Sequence, residues 1–287
     1  MPSYDSSRSR FRLADRHIAV LGHLSDHQSP PEELLPSLGE LQELGLVGPE
    51  GELDLSLKQL IETLADPVAV VRIEVTGGHG PVHHGLVVGP DAVIAHDGWP
   101  GEEESEYLSI LPTTLVWEIA RMVNLHGVSA PEPAVPPRIA TTMGALDAAL
   151  AALAAAMADG APVPPEDGAL LARTALAAAD GSLADPELSL LADLVCALAG
   201  TWRVTVVWGA PPTPAAEPVT ALRALAVWDC GALGYWVREQ PEEPILPGGV
   251  DPTTPLHLTP ATTSTLWTRL TDLLPDQPEL VDEGNAA

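Results

Sequence analysis

The period of the apolar positions changes along the chain, and each change marks an element. Leu57, Leu60, Ile61, Leu64 and Ala65 recur at i, i+3, i+4, i+7, the stripe of one helical face. Val71, Ile73 and Val75 then alternate with Arg72 and Glu74, which predicts a half-buried strand. A glycine-rich loop, Gly77-Gly78-His79-Gly80-Pro81, follows. Two further strands, 85–88 and 92–96, are predicted around Gly89-Pro90-Asp91. The acidic loop Glu102-Glu103-Glu104 comes next. A short strand, Pro112, the pair Thr113-Thr114 and Trp117 then open a helix ending near Leu125.

The second half repeats this order. Leu191, Leu194, Val195, Leu198 and Ala199 have the spacing of the first helical face. Trp202, Val204, Val206 and Trp208 alternate with Arg203 and Thr205, and the loop Gly209-Ala210-Pro211-Pro212 follows. Strands are predicted over 221–228 and 235–238 about the turn 229–234, followed by the acidic pair Glu242-Glu243. Leu256 to Trp267, with Pro260 and a threonine cluster, leads into a helix ending near Leu274. Chance between Ala/Leu-rich helices explains one matched face, but not five features in the same order. The expected fold is therefore α+β with a pseudo-two-fold repeat. Each half is an antiparallel β-meander flanked by helices, because no long crossover separates the strands. The boundaries expected are a loose N-terminal arm at 1–10, a first half at 11–129, a proline-rich linker at 130–140, a second half at 141–275 and an acidic tail at 276–287. The two halves are expected to pack as one body, since a lone meander leaves an edge or face uncovered.

Composition narrows the function more than the fold. The 287 residues hold 13 Lys+Arg against 40 Asp+Glu, a formal net charge of −27. Such a field repels phosphates and anionic headgroups, so neither nucleic acid nor membrane is an expected partner. The Ala-rich run from Met143 to Met157 is too short for a bilayer core of about 30 Å. Arg8, Arg10, Arg12 and Arg16 are followed by Asp15, His17, His23 and Asp26 rather than by an apolar secretory segment. Two cysteines, Cys196 and Cys230, make no disulfide framework, and a cytoplasmic protein with reduced thiols is expected.

Candidate chemistry is sparse. His79, His83 and His84 cluster at the first hairpin, with His96 and Asp97 one strand away. A zinc site needs three or four convergent ligands, and adjacent strand residues point to opposite faces, so His83 and His84 cannot both turn inward. Gly77, Gly78 and Gly80 precede another strand rather than a helix N-terminus, so they suit a hairpin turn better than a phosphate cradle. Cys230 lies beside Asp229 in an acidic turn that raises a thiol pKa, and Cys196 is read as a core residue on a helical face. Trp117, Trp202, Trp208, Trp228 and Trp267 fall inside elements and are expected to pack in the core. Trp99 lies in a loop, and Trp236 is placed on the strand face opposite Tyr235 and Val237, so both are candidate exposed anchors.

The chain resembles the EspG family, cytoplasmic chaperones of actinobacterial type VII (ESX) secretion systems. The resemblance rests on the size, on the repeat, and on two phrases. These are Leu44-Gly45-Leu46-Val47 before a glycine loop and an amphipathic helix, and Ala226-Val227-Trp228-Asp229 before Gly231 and Gly234-Tyr235-Trp236. It implies a quasi-two-fold fold without enzymatic activity or cofactor. It also implies a protein partner: the apolar tip of a helical PPE-like secretion substrate of a PE–PPE pair. Within that resemblance the expected contact residues are Leu233, Tyr235, Trp236 and Val237 of the second-half hairpin, Trp267, the loop residue Trp99, and Gly77, Gly78 and Gly80 as a mobile element. The readings left beside it are a non-enzymatic regulatory or immunity-type binding protein and a His-dependent metal hydrolase.

Overall fold

The computed structural model describes residues 2–127, 138–158, 164–210, 219–240 and 250–280. The prolines 131–137, Pro211-Pro212, the pair Glu242-Glu243 and the tail beyond 280 lie outside the described residues. The elements run β1 (Ser3–Asp5), β2 (Arg10–Ala14), α1 (Asp15–Ser25), α2 (Leu35–Glu43), α3 (Lys58–Ala65), β3 (Ala69–Gly77), β4 (Gly80–Val88), β5 (Val93–Asp97), β6 (Glu104–Ile110), α4 (Leu115–Met122), β7 (Ile139–Thr142), α5 (Met143–Met157), α6 (Pro165–Ala179), α7 (Asp185–Cys196), β8 (Gly200–Ala210), β9 (Val219–Asp229), β10 (Tyr235–Arg238), β11 (Pro255–Ala261), α8 (Thr263–Asp272) and α9 (Gln277–Leu280). Strands pair in the order β1-β2-β6-β5-β4-β3-β8-β9-β10-β11-β7. The fold is mixed α/β, built on antiparallel pairing. Two compact units are present. One holds Met1–Leu125, Val204–Ala224 and Leu270–Ala287; the other holds His126–Arg203 and Leu225–Arg269.

In the first unit, α1, α2 and α3 cover one face of the sheet through Val20, Leu21, Leu41 and Leu60, which meet Phe11, Leu13, Ile94 and Tyr107. The first turn of α1 is locked by a fully buried histidine. His17 Nδ1 accepts the Ala14 N–H at 3.0 Å, so its proton sits on Nε2, 2.7 Å from Glu40 Oε2. The segment expected as a loose arm is instead a strand from Ser3. Tyr4 pairs across to Phe11 and stacks on it at 4.6 Å. The acidic loop Glu102-Glu103-Glu104, expected to be solvated, is with Glu106 the counterpart of the basic N-terminus. Arg12 donates to Glu102 at 2.6 Å, Arg16 to Glu103 at 2.6 Å, and Arg10 to Glu106 at 2.9 Å. Exposed pairs of this kind add little each, but they fix the register of β2 on β6.

In the second unit, α5, α6 and α7 form a helical layer packed on Trp228, Trp236, Leu256 and Leu258. The helix faces are rich in alanine (Ala145, Ala149, Ala172, Ala192), and the two indoles sit directly opposite each other on β9 and β10. Thr142 caps α5 by accepting the Ala145 N–H, and Thr262 caps α8 by accepting the Thr265 N–H at 3.1 Å. Gly144 is forced by a close approach, since a Cβ there would lie 2.8 Å from the Pro252 carbonyl oxygen.

Arg223 anchors the C-terminal segment of the first unit. Its guanidinium stands 5.0 Å from the Trp208 ring centroid. It donates to the carbonyls of Asp272 (3.3 Å) and Leu274 (2.9 Å) just where α8 leaves orphan acceptors, and it pairs with Glu279 at 2.6 Å. Arg223→Ala is expected to cost about 1–2 kcal/mol in urea unfolding. It should also open the segment after Leu270 to limited proteolysis before the rest of the chain.

Candidate functional site

The expected hairpin anchor is well formed but closed. β9 turns into β10 through a single 3-10 turn, Gly231–Leu233. Gly231 and Gly234 have φ of 55° and 77°, which a β-carbon would resist. Tyr235, Trp236 and Val237 alternate as the sequence requires, yet all three are buried, because both faces of this strand are covered. Trp236 enters the α5–α7 core, with its indole N–H donated to the Leu233 carbonyl at 3.2 Å. Tyr235 points the other way. Its hydroxyl accepts the His126 N–H at 3.2 Å and lies 3.0 Å from His126 Nδ1, while Thr263 at the start of α8 donates to the His126 carbonyl. Burial pushes the Tyr235 hydroxyl pKa up. Trp236 is therefore a core residue rather than an exposed anchor; of this hairpin group only Leu233 is exposed. Trp267 on α8 is half-buried.

The other aromatic expectations divide. Trp202, Trp208 and Trp228 are buried as expected, but Trp117 is 66% exposed. It lies about 200° around α4 from Leu115, away from the face that buries Leu115, Ile119 and Ala120. Trp99 is exposed in the loop after β5, as expected. Cys196 is exposed rather than core, because it stands two residues past Leu194, off the 191-194-195-198 stripe. Cys230 is fully buried, and burial with Asp229 beside it pushes its pKa up to about 12, so the thiol is inert.

The glycine loop contracts to two residues. Gly77 pairs with Gly80 across a Gly78-His79 turn, with Gly80 at φ 88°, and strand β4 follows directly. No helix N-terminus meets it, so it offers no phosphate cradle. His79 and His83 are exposed, while His84 turns to the opposite face from His83. There Asp97 Oδ1 lies 2.6 Å from His84 Nδ1, and Arg121 donates to Asp97 Oδ2 at 2.8 Å and to Glu118 at 2.7 Å. Burial raises the Asp97 pKa, but the bonds and charges of His84 and Arg121 outweigh it and hold the carboxyl below its ordinary value. His96 is on the other face, 5.0 Å from Tyr107, and burial lowers its pKa. Among the described residues no three His, Cys, Asp or Glu side chains converge as a metal site requires.

The feature that stands out chemically lies on α5 and α6. Leu150 and Met157 of α5, and Leu170 and Leu171 of α6, are exposed. Between them stand exposed alanines 151, 154 and 155, and the only charge on α5 is Asp147. A helix apolar all round is ordinarily enclosed. The two helices pack on each other, and each turns exposed apolar side chains to solvent on the second unit. The sequence already carried the signal, in the fifteen residues from Met143 to Met157 with one charge.

The fold matches that of a known structure. It is similar to the Mycobacterium tuberculosis type VII secretion system chaperone EspG5, solved in complex with a PE25–PPE41 dimer. The TM-score is 0.53 at 12% identity, over 93% of this chain and 97% of that one. The chain has the EspG fold. No protein-family model and no curated protein sequence matches it. Within the EspG fold of this chain, no described helix is long and apolar enough to cross a membrane.

Two outcomes are expected from this geometry. Trp236→Ala should destabilise by about 3–5 kcal/mol, as for a core indole, with urea unfolding as the measurement. Asp97 has a folded pKa below its unfolded value, so its stabilisation is complete above about pH 4 and is lost as pH falls through the folded pKa. Asp97→Asn should therefore lower stability at pH 7 by about 2 kcal/mol, with the gap to wild type closing toward pH 2.

Proposed function

We propose that the chain is a cytoplasmic chaperone of a type VII secretion system and not an enzyme. In this reading it holds the apolar tip of a helical PPE-like substrate and keeps it soluble for export. The observation that carries the proposal is the set of exposed apolar side chains of α5 and α6, displayed on a chain of net charge −27. Several large apolar side chains left in water on two packed helices are a mark of a surface that is covered part of the time. The match to an EspG chaperone with a PE–PPE dimer supports the class of partner.

The binding surface proposed is Leu150, Met157, Leu170 and Leu171, with Leu233 and Trp267 as further contacts. Trp236 acts from the core beneath the helices, and Tyr235 and Val237 hold the hairpin from the opposite face of the strand. Trp99 and the turn Gly77, Gly78, Gly80 are proposed as secondary contacts. The two chain halves, each a helix, four strands and a closing helix, are proposed to descend from one duplicated unit.

Co-expression with a PE–PPE pair encoded beside this chain is the test. The chain should raise the soluble yield of the PPE protein and co-elute with it. Leu150→Asp with Leu170→Asp, both on exposed positions, should keep the fold by circular dichroism and weaken the complex at least tenfold. A PPE protein that is no more soluble in the presence of the chain would overturn the proposal.

A further inference from the structure

A second apolar depression lies on the first unit, between α1 and α3. Its volume is about 320 Å³, roughly ten times one water's share of the liquid. Ile18, Leu21, Leu60, Ile61 and Leu64 form its walls. Its lining includes Gly22, in the last turn of α1.

Gly22 has no visible structural requirement. Its φ is not in the left-handed region, and a Cβ built on it meets no atom within 4 Å. A glycine inside a helix weakens it relative to alanine. What its missing side chain does here is keep the groove open. Only a larger side chain would refill it.

The polar lining of the groove is Ser25 and Asp26. The C-terminal turns of both α1 and α3 contribute lining residues, and carbonyl ends carry partial negative charge. Asp26 makes no ion pair among the described residues, although Arg10, Arg12 and Arg16 of the same unit are each taken by glutamates. The groove thus combines aliphatic walls with an uncompensated negative end. A trough between two packed helices suits the side-chain ridge of a third helix.

The geometry points to a docking groove for a basic amphipathic helix of a protein partner, one that seats an aliphatic side chain over Gly22 and sets a Lys or Arg one turn away against Asp26. A second copy of this chain is disfavoured as the occupant, because each copy carries a net charge of −27 and copies repel. The site is separate from the α5–α6 surface and does not depend on the role proposed for that surface.

The experiment uses the full chain with methyl-labelled isoleucine, followed by NMR at low salt. The probe is a synthetic helical peptide with leucines at i and i+4 and lysines on either side of them. A peptide with glutamate at every lysine position is the control. The Ile18 and Ile61 methyls should shift saturably with the lysine peptide and not with the glutamate peptide. Gly22→Leu should weaken the lysine peptide at least tenfold, and Asp26→Asn about threefold. Gly22→Ala should raise the melting temperature by about 2–4 °C, which also shows that the position accepts a side chain. If Gly22→Leu fails to fold, Asp26→Asn and the two peptides carry the test by themselves. Equal binding of both peptides, or equal binding by wild type and Gly22→Leu, overturns the inference. So do shifts of these methyls that grow with protein concentration in the absence of peptide. Leu150→Asp with Leu170→Asp should leave these shifts unchanged, so failure here and failure of the chaperone reading are separately visible.

Discussion

An alanine-built helical layer can be packed only against something large, and the second unit rests on that constraint. Ala145, Ala149, Ala172 and Ala192 bring α5, α6 and α7 close together but fill little volume themselves. The missing volume comes from the sheet, where Trp228 and Trp236 face each other on neighbouring strands. Interiors are packed to crystal-like density, so small side chains on one layer require large ones on the other. This explains why Trp228 and Trp236 occupy adjacent positions on β9 and β10. It also sets the backbone of the hairpin: Trp236 must hold its rotamer, and the Leu233 carbonyl that accepts its indole N–H fixes the turn above it. The exposed leucines of α5 and α6 are the reverse side of that same layer, held on a rigid base.

The fold was largely legible in the sequence because its elements are short and their periods change cleanly. The β3 alternation, the Trp202-to-Trp208 strand, the 229–234 turn and the Thr262 cap stand where the periods put them. The error at Trp236 has a plain cause: periodicity reports which face a residue is on, not what covers that face. Trp236 was correctly separated from Tyr235 and Val237, but one face is covered by α5–α7 and the other meets the His126 segment. Trp117 and Cys196 fail the opposite way, since each sits inside an element but off its stripe. The N-terminal strand was invisible for a different reason. Its three residues pair with Arg10, Phe11 and Arg12 of β2, and β2 is itself held by β6 some 90 residues away, a contact that no local pattern encodes.

The candidate surfaces were less legible than the fold, because neither is a motif. The α5 stripe is an absence of charge over fifteen residues, which reads equally as core, membrane span or interface until its exposure is known. The α1–α3 groove depends on a glycine whose meaning lies in the space above it. Histidine spacing was the strongest chemical pattern in the chain, yet the fold spends it on structure. Asp97 is taken by His84 and Arg121, His17 by Ala14 and Glu40, and His96 lies against Tyr107.

The charge ties these surfaces together. Arginines are few and mostly engaged: Arg10, Arg12, Arg16, Arg121, Arg138, Arg173 and Arg223 each meet a carboxylate. The acid in excess of them leaves the chain strongly negative. A protein that displays leucines on one unit and an apolar groove on the other would ordinarily bind its own copies. Repulsion between bodies of −27 opposes that, most strongly at low salt and over a screening length of about 8–10 Å at physiological ionic strength. The same field does not oppose a neutral or basic partner. Like charge therefore acts here as a selector: it leaves the apolar surfaces open to other proteins while denying them to a second copy of the chain.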